Sequence, residues 1–375
     1  MRRIECGLLL ALVVGGCARP APKVADAVVF EKTTKVTAFT DAVDHIELVP
    51  LETGISFLLG VNPMLDLTED GYVVTDSRTG RILYFGQDGA FRCHVGTKGR
   101  GPGEYPMLLN SQSDVDGNIV AFSYPDKVLY FGTDGNLVRE EHWDDLGTQS
   151  CIVPDGLLTY FGYGSGRPTR VALTHRDGKQ KGFLPPNDQV INMTPDRTVF
   201  SFFKDTVFFV DTYNPTVYSY KDGAVQPEVT FDFGKSAIED KFYHFSDPFE
   251  AMDFILATPN GFSLVRRYQR NDRFQFLEEV FQKKEEGVDY HYGMCSDGVW
   301  SWFYLGKAGE SPFAGSMQVL SDQCLYFLLD ADALSGKDHG LGGNLAPLRA
   351  LISNPEILEK VTPDDNPVVA KVYLK

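Results

Sequence analysis

The sequence predicts an all-β fold, a six-bladed β-propeller of four-stranded antiparallel blades. A stretch of twenty residues from Asp70 to Gly89 recurs 46 residues later, from Asp116 to Gly135, with ten identical positions. Repeats of about 40–50 residues that contain several short strands are typical of propeller blades. The 27 Phe and 17 Tyr residues favour strands, and the 36 Gly and 21 Pro residues fit many turns between them.

Turn signals indicate the number of blades. A turn signal followed by an apolar strand occurs six times, at Asp70-Gly71, Asp116-Gly117, Asp155-Gly156, Asp196-Arg197, Asn260-Gly261 and Asp297-Gly298. Asp-Gly and Asn-Gly pairs favour tight turns because they readily adopt positive φ angles. One four-stranded blade cannot bury both of its faces alone, so we expect six blades to pack around a ring.

The two ends of the propeller are expected to meet in one blade. Residues 43–51 and 366–375 both read as strands, and pairing between them would close the ring. The longest interval between turn signals is 64 residues and predicts an insertion at about 235–258, with a short helix broken near Pro248. We therefore expect the propeller to span residues 40–375 and to carry one short helical insertion.

The amino terminus predicts export and a lipid anchor. An apolar run of ten residues, Gly7 to Gly16, follows a basic start and fits a signal peptide over residues 1–16. The run is shorter than the roughly 20 residues that span a bilayer. It ends in Val14-Gly15-Gly16-Cys17, which resembles the lipobox of bacterial lipoproteins and implies cleavage before Cys17 and its acylation. An ordinary signal peptide with an incidental cysteine is the alternative.

Residues 17–39 are expected to be a lipidated tether. Residues 18–27 are rich in Pro and Ala and show no periodicity. No Asp follows Cys17, so the sorting rules of bacterial lipoproteins imply the outer membrane. No acidic cluster follows either, which favours a periplasm-facing protein that contacts the membrane through its lipid.

The charge of the chain excludes one class of partner. The formal net charge is −16 at pH 7, and removal of residues 1–16 makes it −17. So negative a protein repels phosphate backbones and anionic lipid surfaces, and nucleic acid is not expected as a partner. The charge also favours solubility, and we expect a monomer.

Catalytic and metal-binding motifs are not recognisable in the sequence. It lacks GxSxG, CxxC and the spaced histidine pairs of zinc enzymes. The acidic turn Asp364-Asp365-Asn366 lacks EF-hand spacing, so no cofactor is predicted and calcium stays an open option. Four cysteines remain beyond Cys6 and Cys17, and their irregular spacing favours small buried side chains over the three disulfide pairings that stay open. They are Cys93, Cys151, Cys295 and Cys324.

Two motifs carry a resemblance to a known family. The block GTKGRGPGEY runs from Gly96 to Tyr105, and Asn366-Pro367-Val368-Val369 precedes the end of the chain. With the lipobox and the repeated LYFG-x-DG blocks, they resemble the six-bladed β-propeller lipoproteins of Bacteroidetes over about residues 40–375. The resemblance implies a propeller on a lipid tether. It implies no catalytic residues, because members of that family mostly lack an assigned function.

The GTKGRGPGEY block has two interpretations. As a crossover between blades, its glycines take positive φ angles while Glu104 and Tyr105 lock it to the next blade. As a ligand site at the channel mouth, it contacts an anion or a glycan through exposed amides and cations. The candidate ligand contacts are Lys98, Arg100, Glu104 and Tyr105.

Two further clusters resemble sites less strongly. Asp289-Tyr290-His291-Tyr292 is the most site-like histidine segment, although an aromatic strand with one polar contact explains it better. Trp300 and Trp302 share one strand face, where they either stack on sugar rings or pack between blades, and packing is favoured.

The function expected from the sequence is that of a non-catalytic ligand- or protein-binding scaffold of the bacterial cell envelope. Its partner would be an envelope protein or a glycan, and it could work inside a larger envelope complex. The alternative is a metal-dependent hydrolase or lyase with its site in the propeller channel. That alternative rests only on analogy with lactonases of the same fold.

Overall fold

Short apolar strands pair in sequence order into six four-stranded antiparallel sheets in the computed structural model of the protein. The structure describes residues 27–30, 38–147, 149–162, 165–185, 199–211 and 213–375. The predicted fold class is confirmed: the protein is an all-β six-bladed propeller with few helices. The predicted signal peptide and the lipobox with Cys17 lie outside the described residues.

The first three blades follow one another along the chain. The strands of blade 1 are Met64–Leu67, Gly71–Asp76, Arg81–Gly86 and Phe91–His94. Those of blade 2 are Met107–Ser113, Ile119–Tyr124, Lys127–Phe131 and Leu137–His142. Those of blade 3 are Gln149–Val153, Gly156–Tyr160, Val171–Thr174 and Gln180–Phe183.

The next three blades complete the ring. The strands of blade 4 are Phe200–Phe203, Thr206–Val210, Thr216–Lys221 and Ala224–Asp232. Those of blade 5 are Phe262–Arg270, Gln275–Lys283, Gly287–Ser296 and Val299–Lys307. Those of blade 6 are Met317–Leu320, Cys324–Leu329, Val368–Leu374 and Val43–Pro50.

The first strand of each blade lies nearest the ring axis, since the first strands of neighbouring blades contact one another. Antiparallel alternation then places two kinds of loop on one face of the ring: the connectors from each blade to the next, and the turns between second and third strands. We call this the connector face. The remaining turns form the opposite, hairpin face.

Blade 6 closes the ring with strands from both ends of the propeller. The N-terminal strand Val43–Pro50 pairs antiparallel with the C-terminal strand Val368–Leu374, with Ile46 opposite Val372 and Leu48 opposite Ala370. Asn366, just before that last strand, is 1% exposed. Its side chain accepts a hydrogen bond from the Leu59 amide at 2.8 Å and donates to the carbonyls of Glu52 and Phe57. The Asn-Pro motif therefore fixes the connector that leads into blade 1.

One of the six turn signals does not mark a blade of its own. Asn260-Gly261 precedes the first strand of blade 5, and Asp297-Gly298 forms the last hairpin of the same blade. Blade 6 has no Asp-Gly turn, because residues 321–323 connect its first two strands without one. The six-blade count was correct although this part of its derivation was wrong. Asp196-Arg197 lies outside the described residues.

A short N-terminal strand adds to the rim of blade 4. Val28–Val29 pairs in parallel with the outer strand of that blade, opposite Phe231 and Asp232. The next residue, Phe30, is 2% exposed and packs against Trp302 of blade 5, with ring centroids 4.3 Å apart. Burial of one aromatic side chain in this way is worth about 2 kcal/mol. The chain is therefore attached to the boundary between blades 4 and 5.

Helical segments occur on the connector face. The connector from blade 4 to blade 5 contains the 3₁₀ turns Gly234–Ser236 and Asp240–His244 and the α-helix Pro248–Leu256. Pro248 begins this helix rather than breaking it. Asp247 caps the helix by accepting hydrogen bonds from the Phe249 and Glu250 amides at 2.7 and 3.1 Å.

A second excursion joins the second and third strands of blade 6. It contains the helices Ala331–Ser335 and Ala346–Arg349 and the 3₁₀ turns Lys337–Gly340, Gly343–Leu345 and Pro355–Ile357. Leu334, Leu348 and Leu358 from this excursion are buried in the same core cluster as blades 5 and 6. Outside the blades, the structure also has the 3₁₀ turns Phe39–Asp41 and Ile55–Phe57.

Each blade is apolar on both faces because it packs against two neighbours. In blade 5, Phe276 and Tyr292 join the core shared with blade 6, whereas Leu277 and Trp302 join the core shared with blade 4. Trp300 stacks on Trp302 at 5.6 Å, and both rings meet Phe231 of blade 4. The tryptophans therefore pack between blades, as favoured from the sequence.

Candidate functional site

The ring axis carries a narrow channel whose polar groups bind to each other. A cavity of about 150 Å³ is lined by residues of the first strands, including Asp66, Gln112, Arg267 and Gln318. The Leu65 amide donates to Gln318 at 3.1 Å, and the guanidinium of Arg267 donates to the Gln318 carbonyl. These bonds join blades 1, 5 and 6 at the axis, so they hold the ring together.

Asp66 is the one carboxylate among the described residues that line this cavity. Desolvation raises the pKa of its carboxyl, while hydrogen bonds from the Ser113 and Leu67 amides act to lower it. The Ser113 amide lies 2.6 Å from Asp66 Oδ2 and belongs to blade 2. Asp66 therefore joins blade 1 to blade 2 through this hydrogen bond.

Two buried carboxylates lie side by side in blade 5, each next to a basic side chain. Glu278 is fully buried, and its carboxylate lies 2.9 Å from Arg266 and 3.8 Å from Arg267. A register shift between Val265 and Arg267 brings both arginines close to this one carboxylate. The neighbouring Glu279 is also fully buried and lies 2.9 Å from His291 Nδ1.

These pairs escaped sequence analysis, although a signal was present. Arg266-Arg267 and Glu278-Glu279 lie on adjacent strands joined by a tight turn, so cross-strand pairing of opposite charges was predictable. Charged residues in a strand are ordinarily assigned to a solvent face, and a blade packed on both sides has none. Within the Asp289–Tyr292 segment, Tyr292 is structural: it is buried, its hydroxyl donates to the Phe313 carbonyl at 2.7 Å, and desolvation raises its pKa.

A wide depression, which we call the connector cleft, opens on the connector face between blades 5, 6 and 1. Its volume is about 830 Å³. Residues 58–63, 308–312, 314–316, 363–365 and 367 line its walls, and Arg266 and Tyr290 also line it. Arg266 stacks over the Tyr290 ring at 5.2 Å and donates to the Gly315 carbonyl at 3.2 Å. The buried ion pair with Glu278 thus fixes the floor of the cleft.

The GTKGRGPGEY block forms the connector from blade 1 to blade 2. Its two ends, Thr97–Lys98 and Glu104–Tyr105, pair as a short parallel bridge. Gly96 and Gly103 have φ angles of +63° and +73°, as expected for a crossover. The Tyr105 hydroxyl donates to the Val95 carbonyl at 2.9 Å, and desolvation raises its pKa to about 12.

Charged groups hold this connector against blade 2. Glu104 accepts a hydrogen bond from the Gly101 amide at 2.8 Å. Lys127 donates to the Gly101 carbonyl at 3.0 Å and pairs with Glu140 at 2.9 Å. Glu140 also accepts from the Gly103 amide at 2.7 Å, and the pKa of its carboxyl is lowered by these hydrogen bonds in spite of desolvation. Lys127 and Glu140 were not identified from the sequence, where they read as ordinary strand residues.

A second depression, which we call the basic groove, borders this connector. It has a volume of about 500 Å³ and is lined by Lys98, Gly99, Arg100, Pro106, Met107, Tyr124 and Pro125. The side chains of Lys98 and Arg100 are exposed. Of the four predicted contacts, the structure therefore brings Lys98 and Arg100 to the groove. It places Glu104 and Tyr105 in the connector's own framework.

Among the described residues, no group of three or more His, Cys, Asp or Glu side chains is placed to hold a metal ion. The described part of the chain contains no helix with the length and apolar character needed to cross a membrane. The four cysteines that it includes are free thiols, of which three are buried, and desolvation raises their pKa values.

Fold and surface together define a class: a closed six-bladed propeller whose connector face carries two preformed depressions. The sequence matches the family described as a domain of unknown function (DUF4934) over residues 24–373, and the protein belongs to that family. None of the curated proteins matches the sequence.

Two solved structures share the fold. The first is a protein of Bacteroides fragilis NCTC 9343 whose name describes it as exported. It is 17% identical, with a TM-score of 0.73, and the match covers 93% of this chain and 100% of the other. The second is a member of the DUF4221 family from Bacteroides vulgatus ATCC 8482. It is 10% identical, with a TM-score of 0.57, and the match covers 89% and 97% of the two chains.

Proposed function

We propose that this protein is a non-catalytic binding or scaffold lipoprotein of the bacterial cell envelope, and that it binds its ligand on the connector face. The observation that carries the proposal is the connector cleft. Its volume of about 830 Å³ lies within the range of small-molecule sites, about 300–1,000 Å³. A floor fixed by buried ion pairs supports preformed binding, which lowers the entropic cost of association.

An envelope location is supported by two independent features. The sequence carries a lipobox at Cys17, and a structure of the same fold is named as an exported protein. The proposed anchor is an acylated Cys17 in the outer membrane, with the propeller facing the periplasm. In full-length protein expressed in a Gram-negative host, the N-terminal peptide should begin at Cys17 and carry fatty acid. Cys17→Ser should move the protein from the membrane fraction to the soluble fraction, and a mature protein without fatty acid would contradict the anchor.

Binding at the cleft is testable with two matched variants. Val61 lines the cleft and is 61% exposed, while Val299 is 68% exposed on the hairpin face. A panel of envelope glycans and peptides is screened by thermal shift, and hits are measured by calorimetry. Val61→Arg should weaken a cleft ligand at least tenfold, and Val299→Arg should leave it unchanged. Equal affinities in both variants would remove the cleft from the proposal.

The hydrolase or lyase alternative predicts different outcomes. Turnover of a glycan or lactone panel at enzymatic rates by the purified protein would overturn the non-catalytic assignment. Metal analysis, together with melting curves with and without chelator, tests the calcium option separately. Pull-down from solubilised membranes and sedimentation test the envelope partner and the expected monomer.

A further inference from the structure

We propose that the basic groove binds a short acidic sugar, with Lys98 and Arg100 contacting its carboxylate or sulfate groups and Tyr124 contacting a ring face. This inference rests on the proposed binding function and names a ligand class for one site on the connector face. Two exposed cations border this pocket, although the protein as a whole has a net charge of −16.

The acidic groups around the groove are already engaged. Glu104 binds the Gly101 amide, and Glu140 binds Lys127 and the Gly103 amide. Asp126, which follows Pro125, lies 2.9 Å from His142 Nδ1. Within the described chain, Lys98 and Arg100 make no ion pair with any of these carboxylates. Two positive charges are therefore left to face the groove and an incoming anion.

A further cation reinforces this local field. Lys98 packs beside Gly80, where an added Cβ would lie 3.2 Å from its side chain. Gly80 belongs to the turn of blade 1 that also carries Arg78, an exposed residue. Arg78 is thus on the turn that Lys98 contacts, and exposed charges interact over about 8 Å at physiological salt. The field favours a ligand with negative charge at the Lys98 end of the groove.

The other side of the groove is apolar. Tyr124 and Met107 are 53% and 49% exposed, and Pro106 and Pro125 complete the lining. Ser123 fixes the backbone here: its hydroxyl donates to the Met107 carbonyl at 2.9 Å and accepts from the Met107 amide at 3.2 Å. Flat rings and stiff prolines present a surface that matches the C–H face of a sugar ring. Cations beside such a surface fit a sugar that carries an acid group.

Charge and size restrict the ligand further. A long polyanion, such as a nucleic acid or an anionic membrane, would be repelled by the rest of a protein at −16. A pocket of about 500 Å³ instead suits a compact ligand. An acidic peptide has the charge but lacks a rigid ring for Tyr124, so the acidic sugar accounts for more of the surface.

Calorimetry with the purified protein, in detergent where it carries lipid, tests the inference. The probe is a trimer of galacturonate. Maltotriose supplies a neutral sugar of equal length, and inorganic sulfate and triglutamate supply charge without a sugar ring. We expect the galacturonate trimer alone to bind well, with affinity that falls as salt rises. Equal binding of sulfate or triglutamate would overturn the assignment to a sugar, and no binding of any probe would overturn the site.

Variants locate the binding. Lys98→Ala combined with Arg100→Ala should weaken the galacturonate trimer at least tenfold and reduce its salt dependence. Tyr124→Ala should weaken it several-fold and leave the salt dependence in place. Lys284→Ala, at an exposed turn of blade 5, is the matched control and should change nothing. Undiminished binding in the double variant would overturn the groove while the binding function stands. Turnover of the probe would overturn the non-catalytic function while the groove stands.

Discussion

Replacement of Asn366 by Ala tests whether the Asn-Pro motif fixes the closure of the ring. The side chain makes three hydrogen bonds to the connector between blades 6 and 1, at 2.8, 2.7 and 3.1 Å. Each such bond contributes about 1 kcal/mol net, so the three together contribute about 3 kcal/mol. The groups left behind, at Glu52, Phe57 and Leu59, are only partly buried and regain water. We therefore expect a loss of about 2–3 kcal/mol in the free energy of unfolding.

Urea unfolding at fixed temperature measures this loss. The midpoint should fall while the slope of free energy against urea stays constant, since the change leaves the surface exposed on unfolding almost unaltered. Asn136→Ala is the matched control, because the Asn136 amide donates at 2.8 Å to an exposed Asp134. That variant should change stability by less than about 0.5 kcal/mol. If Asn366→Ala lowered the free energy of unfolding no more than Asn136→Ala does, the proposed role of the motif would be wrong.

Three further changes test other parts of the fold. Glu278→Ala removes the buried carboxylate that Arg266 and Arg267 share. Urea unfolding should show that the free energy of unfolding falls by about 3–5 kcal/mol. A fall of less than about 1 kcal/mol would contradict this role. Phe30→Ala should abolish hydrogen-exchange protection of the Phe30 amide, which donates to the Asp232 carbonyl at 2.8 Å, with little change in the urea midpoint of the ring. Unchanged protection would mean that the aromatic contact does not hold the strand. Gly96→Ala places a Cβ 2.5 Å from the Phe131 ring, at a residue with a φ angle of +63°. The control is Gly178→Ala, where φ is +80° but no atom lies within 4 Å of the added Cβ. The urea midpoint of Gly96→Ala should therefore lie well below that of Gly178→Ala.

The propeller was predictable because its hairpins use residues with a strong local preference. Asp70-Gly71, Asp116-Gly117 and Asp155-Gly156 each connect the first and second strands of a blade, so the repeat in the sequence maps directly onto the sheet. Blade 6 could not be located in this way. Its strands come from both ends of the propeller, and the turn at residues 321–323 carries no glycine. Long-range pairing of that kind leaves no local signal.

The candidate site was predictable only in part, for a physical reason. Glycines and prolines at residues 96–106 indicated a special backbone, but whether a charged residue beside them faces solvent depends on its tertiary partners. Glu104 accepts from the Gly101 amide and becomes structural, whereas Lys98 and Arg100 stay exposed while Glu140 and Asp126 pair with Lys127 and His142. That competition between partners is set by the packing of blade 2 against the connector. Residue type and spacing do not encode it.

The position of the N-terminal strand determines which part of the ring lies near the membrane, if Cys17 is acylated as proposed. Ala27, the residue before the strand, is ten residue steps from Cys17, so it lies within about 35 Å of the lipidated residue, because an extended chain spans at most about 3.5 Å per residue. The basic groove lies at the boundary of blades 1 and 2. In a ring of six blades, that boundary is three blades away and diametrically opposite. A protein attached at the rim of blades 4 and 5 therefore carries the groove on the side of the ring opposite its attachment.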